Sequence, residues 1–116
     1  MLSSAHRLSD GASFQTAVRT GRRAGSRTLV VHLAVPDRDG DDPLVGFVVS
    51  KAVGNAVVRN RVKRRLRHLA REYVSTLPGS AVLVVRALPA AAEASSRELG
   101  ADLGRCLVRV RAEVSS

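Results

Sequence analysis

A chain of 116 residues, 45% of them hydrophobic, is long enough to bury a core without disulfides or metal and too apolar to be disordered throughout. Its one cysteine, Cys106, excludes an internal disulfide, and no Cys/His spacing suggests zinc. Nineteen basic residues against ten acidic ones leave a net charge of +9, which on one small domain implies a polyanionic partner.

Seventeen of the nineteen cations are arginine, whose planar fork of donors matches phosphate oxygens. The opening residues lack the apolar stretch of a signal peptide, and no apolar run approaches the roughly 20 residues that span a bilayer. The expectation is a single domain over residues 1–116, reduced and cytoplasmic, with no membrane and no small-molecule substrate.

In chain order, residues 9–20 read as a short helix capped by Ser9 or Asp10, with Phe14 and Val18 on one face. Residues 21–25 read as a basic turn carrying Arg22 and Arg23. Residues 28–35 are rich in β-branched side chains and read as a strand, 36–43 as its polar turn, and 44–50 as a second strand, a hairpin in sum. Residues 56–77 carry the longest helical pattern, with Asn55 as N-cap and Pro78-Gly79 as the stop. Residues 80–86 are apolar enough for a strand buried on both faces. After a Pro/Ala connector, a last helix runs over 96–114. Ser95 and Glu98 have capping-box spacing there, and Leu99, Leu103, Cys106, Leu107, Val110 and Val114 form one apolar stripe. This order predicts an α+β fold, a two-layer α/β sandwich with a small sheet.

The segment from Arg59 to Arg67 carries the functional argument. On a helix, Val58, Val62, Leu66, Leu69, Tyr73 and Leu77 fall within an arc of about 100°, the side that packs on the sheet. The remaining surface is almost wholly cationic, with six cations in nine residues and Glu72 the one acid before the helix ends. A solvated face normally mixes signs to gain i,i+4 pairs, and early arginines face the positive end of the helix dipole. Such a helix suits a polyanion, bound with strong salt dependence. Lys51 and the backbone at Gly54-Asn55 stand just ahead of it, where free N–H groups would hold a phosphate.

The stretch from Val45 to Arg64 closely resembles the signature of the bacterial ribonuclease P protein component. It contains Gly54-Asn55-Ala56 and then Arg59-Asn60-Arg61, which matches the RNR motif. The likeness extends to Arg7-Leu8, Phe14, Gly21 before a basic turn, and a strand ending in Arg86. The resemblance implies an α/β sandwich with a left-handed, helix-mediated βαβ crossover, where spacing alone predicts a right-handed one. It also implies an endoribonuclease whose catalytic centre, with magnesium, lies in a large RNA subunit that trims precursor tRNA to its mature 5′ end. The protein then contributes no catalytic side chain and holds no metal of its own.

Carried over residue by residue, the resemblance assigns RNA contact to Arg59, Asn60, Arg61, Lys63, Arg64 and Arg67. Arg65, Lys51 and Asn55 join that patch by position. It assigns the 5′ leader of the precursor to a cleft of Phe14, Val18, Val30, His32, Val48 and Arg86. Val30 and His32 share a strand face, and an apolar floor with basic edges suits single-stranded RNA. The sequence departs from the family pattern at His32, where Tyr is frequent, at Val18, where a second Phe is common, and at Ala52, which replaces a frequent Lys.

Other features carry blander meanings. Residues 37–42 lack the bidentate acid of a calcium loop and read as a hairpin turn. Cys106 reads as a small buried helix residue, His68 as helix surface, and His32, without the family argument, as a satisfied sheet histidine. Composition alone leaves a ribosomal or chaperone-like RNA-binding module open. A zipper-type DNA-binding helix lacks the leucine heptads after Tyr73, and a stand-alone nuclease lacks carboxylates near the cations.

Overall fold

Strand pairing in the computed structural model, which describes residues 21–35, 43–77 and 81–115 (side chains through 111), departs from simple chain order. The elements are β1 (Arg22–Gly25), β2 (Leu29–Ala34), β3 (Leu44–Val48), α1 (Ala56–Ala70), β4 (Val82–Ala87) and α2 (Ser96–Ser115). They form a four-stranded sheet of order β1-β2-β4-β3, antiparallel except that β3 runs parallel to β4. The α+β class expected from the element order holds, and α1 is the crossover between the two parallel strands.

Two expectations about the sheet are corrected. The basic turn at residues 21–25 is a strand: β1 pairs with β2, and the Ser26 hydroxyl organises the turn between them by accepting from Leu29 N at 3.0 Å. The hairpin expected between residues 28–35 and 44–50 does not form, because β4 lies between β2 and β3. Burial explains this insertion. Val82, Leu83, Val84 and Val85 are all at most 2% exposed, so β4 needs a neighbour on each side and cover on both faces. A β2–β3 hairpin would have left that strand at an edge.

The sheet has two apolar faces. Val31, Leu33, Val45, Leu83 and Val85 turn toward the helices and share a core with Val62 and Leu66 of α1 and Leu99, Leu103, Cys106, Leu107 and Val110 of α2. The other face carries Ala34, Val82 and Val84 with half-buried Val48. Helix α2 lies over β1 and β2, and α1 over β3 and against α2.

Helix α2 begins with the expected capping box: Ser95 N donates to Glu98 Oε1 at 3.2 Å, and Glu98 N to Ser95 Oγ at 3.1 Å. Helix α1 is shorter than the 56–77 expected. It ends at Ala70, and a 3-10 turn over Val74–Thr76 follows. Val74, Ser75 and Thr76 are poor helix formers, and the Thr76 hydroxyl donates to Tyr73 O at 2.6 Å. The apolar arc nonetheless continues, since Val74 and Leu77 remain buried.

The β1–β2 turn is tied to α2 by a buried carboxylate. Thr28 donates to Asp102 Oδ2 from both its hydroxyl and its backbone N–H, and Arg105 pairs with Asp102 Oδ1. Burial pushes the Asp102 carboxyl up, but the Thr28 hydrogen bonds and the Arg105 charge together outweigh it and hold it below the usual range. No helix among the described residues is long and apolar enough to cross a membrane.

Candidate nucleic-acid interface

The cationic helix starts on a tightly fitted cap. The Asn55 side chain accepts from Val58 N at 3.0 Å. Gly54 precedes it because any Cβ there would lie 2.9 Å from Val58 Cγ1. Part of the Gly54-Asn55 motif is therefore explained by helix initiation alone. The first turn contains no acid, so the positive end of the dipole is left without a carboxylate. Lys51, in the turn just before the cap, is exposed.

The helix then sorts its cations by direction. Asn60, Arg61 and Arg64 are exposed, and Lys63, Arg65 and Arg67 are half-buried along its flanks. Arg59 is half-buried as well, and its Nε is enclosed with no hydrogen-bond partner among the described residues. Arg61 Nη2 donates to Ala92 O at 3.3 Å and Arg65 Nη1 to Ala94 O at 3.2 Å, stitching α1 to the connector that leads into α2. Among the described residues the ion pairs are Arg27–Glu98 and Arg105–Asp102, and neither involves a cation of α1. The outer surface of the helix carries a concavity lined by Val57, Asn60, Arg61, Arg64, Arg67 and His68, among others.

The second set of expected residues meets on the sheet face that turns away from the helices. Strand register places Val30, Arg86 and Val48 side by side across β2, β4 and β3, and Arg23, His32, Val84 and Gly46 in the next row. Val30, His32 and Val84 are buried, whereas Arg23 and Arg86 are exposed. The result is a buried apolar row holding an imidazole, with the exposed guanidinium groups of Arg86, between Val30 and Val48, and Arg23, beside His32. Phe14 and Val18, expected on the same cleft, lie outside the described residues, as does the acidic turn at 37–42.

Arg23 went unassigned from sequence, since Gly21 to Gly25 read as a turn. The missing signal is non-local: only pairing with β2 makes residue 23 a neighbour of residue 32.

His32 differs from a satisfied sheet histidine. It is 4% exposed, and neither ring nitrogen has a hydrogen-bond partner among the described residues. Burial holds its imidazole below the ordinary range, and the charges of Arg86 and Arg23 act in the same direction. His32 is therefore a neutral group with one donor and one acceptor unused.

No group of three or more His, Cys, Asp or Glu side chains that could hold a metal occurs among the described residues. The one buried carboxylate among them, Asp102, is fully engaged by Thr28 and Arg105 and so does not fit magnesium.

Comparison with known proteins gives the same family throughout. The family model for ribonuclease P matches residues 2–111. The chain is 71% identical to the ribonuclease P protein component of a Nocardioides species, with 99% of each chain covered. It is 50% identical to that of Streptomyces avermitilis, with 95% of each covered. A solved structure of a Staphylococcus aureus RNase P protein, a mutant with defective mRNA degradation activity, superposes with a TM-score of 0.83. That match has 28% identity and covers 92% of this chain and 89% of that one.

Proposed function

The chain belongs to the ribonuclease P protein family, and on that premise we propose that it is the accessory subunit of an RNA-based endoribonuclease that removes the 5′ leader from precursor tRNA. The observation that carries this proposal is the helix α1, whose cations have no carboxylate partner among the described residues. A self-contained surface helix would neutralise them locally.

In this account α1 docks on the ribonuclease P RNA, with Arg59, Asn60, Arg61, Lys63, Arg64 and Arg67 toward it and Lys51 and Asn55 at its leading end. Arg65 serves mainly to hold the helix in place through Ala94. The opposite sheet face receives the leader. Its bases would lie at half-buried Val48, with Val30 and His32 buried alongside, while exposed Arg23 and Arg86 lie near its phosphates. The protein contributes position and charge. Magnesium held by the RNA would supply the hydrolytic chemistry.

The leader assignment is tested by measuring how the protein–RNA complex binds a precursor tRNA and the matching mature tRNA. The protein is expected to tighten binding of the precursor and leave the mature tRNA nearly unchanged. Equal tightening of both would overturn the leader cleft.

A further inference from the structure

The outermost line of α1 is not purely cationic. At about 100° per residue, Val57, Arg61, Arg64 and His68 fall within about 60° of one another, opposite buried Val62, Leu66 and Ala70. Val57 is 74% exposed, more than Val35 or Val108, the other exposed large apolar side chains among the described residues. His68 is exposed as well. All four residues line the same surface concavity. The ends of this line stand about 16 Å apart along the helix axis.

A helix made only to meet a phosphate backbone would gain nothing from a bare valine at the head of its arginine line. An apolar side chain and a flat ring on either side of two guanidinium groups suit a different target. Bases rest on apolar and ring surfaces while the intervening phosphates reach cations. We infer that Val57 and His68 are two further RNA-contact residues, and that α1 seats a segment of the RNA subunit with unpaired bases rather than a uniform duplex. Base contact is made at Val57 and His68, and phosphate contact at Arg61 and Arg64. This inference rests on the assignment of α1 to the RNA subunit.

Phosphate contacts set the slope of log K against log salt, whereas apolar and stacking contacts shift log K by a salt-independent amount. The full-length protein and its Val57→Ser, His68→Ala and His68→Phe variants are therefore titrated against the host's ribonuclease P RNA over a salt series. A fully paired RNA duplex of equal length serves as the second target. Val57→Ser and His68→Ala should each lose about fivefold in affinity for the host RNA at every salt concentration, with no change of slope and no loss on the duplex. His68→Phe, which keeps a flat ring, should retain affinity.

An unchanged affinity for Val57→Ser, or an equal loss on the duplex, would overturn the inference. Wild-type protein binding the host RNA no better than the duplex would instead overturn the assignment of α1 to that RNA, and the seat with it. Both substituted positions are exposed, so folding is not at issue, and circular dichroism confirms it for each variant.

Discussion

The guanidinium of Arg65 donates to the carbonyl of Ala94 at 3.2 Å, across the seam between the cationic helix and the connector into α2. Its neighbour Arg64, one residue earlier, is exposed and points away from the protein. Adjacent arginines in one basic run thus have separable roles. Arg65→Ala is expected to lower stability by about 1 kcal/mol in urea unfolding, the worth of one hydrogen bond plus lost stem packing. Arg64→Ala should leave stability within about 0.5 kcal/mol but reduce the salt slope of RNA binding by about 0.7 to 0.9. Equal effects of both substitutions on the slope would contradict this division.

Arg23 and Arg86 flank His32 on the sheet face and are both exposed. Arg23→Ala and Arg86→Ala should each weaken binding of precursor tRNA to the reconstituted complex and lower its salt slope by about 0.7. Binding of mature tRNA should be unaffected. Fluorescence titration with a labelled leader separates the two substrates.

The neutral state of His32 has a consequence for stability with a defined sign. The folded imidazole is held below the ordinary value of 6.5, so the unfolded chain binds the proton first as pH falls. His32 therefore costs the protein stability as pH drops through the unfolded range near 6.5, and the loss continues until the folded ring also protonates. His32→Val should show a shallower loss of stability between about pH 7.5 and 5.5 than the wild type, measured by urea midpoints. Identical pH profiles would show that the ring is not desolvated as described.

Asp102 works in the opposite sense and in a lower range. Its folded pKa is depressed, so its contribution is present above the ordinary aspartate range and is lost as pH falls through the folded value. Asp102→Ala leaves the buried Thr28 donors without their acceptor, while the exposed Arg105 returns to water, and should cost about 1–3 kcal/mol, read by thermal or urea unfolding.

Much of this architecture was legible in the sequence because it is local. The Ser95/Glu98 capping box, the buried stripe from Leu99 to Val110 and the apolar arc of α1 each follow from spacing within one element. Residues whose roles depend on partners far along the chain were not legible. Arg22–Gly25 is a strand only because β2 offers it an edge, and nothing in Arg-Arg-Ala-Gly favours a strand by itself. The separation of β2 from β3 likewise follows from the burial demand of β4. Val82 pairs with Ala34 at the end of β2 on one side and with Leu44 at the start of β3 on the other, which no pattern within either strand announces. The arginine-to-carbonyl contacts at Ala92 and Ala94 were hidden for the same reason, since they join residues about thirty positions apart.

The most direct test of the central claim is reconstituted cleavage. The purified protein is mixed with the ribonuclease P RNA of its host at low magnesium, and 5′ trimming of a precursor tRNA is followed beside protein-alone and RNA-alone controls. Cleavage at the mature 5′ end by the mixture, and by neither component alone, is the predicted result. RNA that cuts at high magnesium yet gains nothing from the protein at low magnesium would contradict the account.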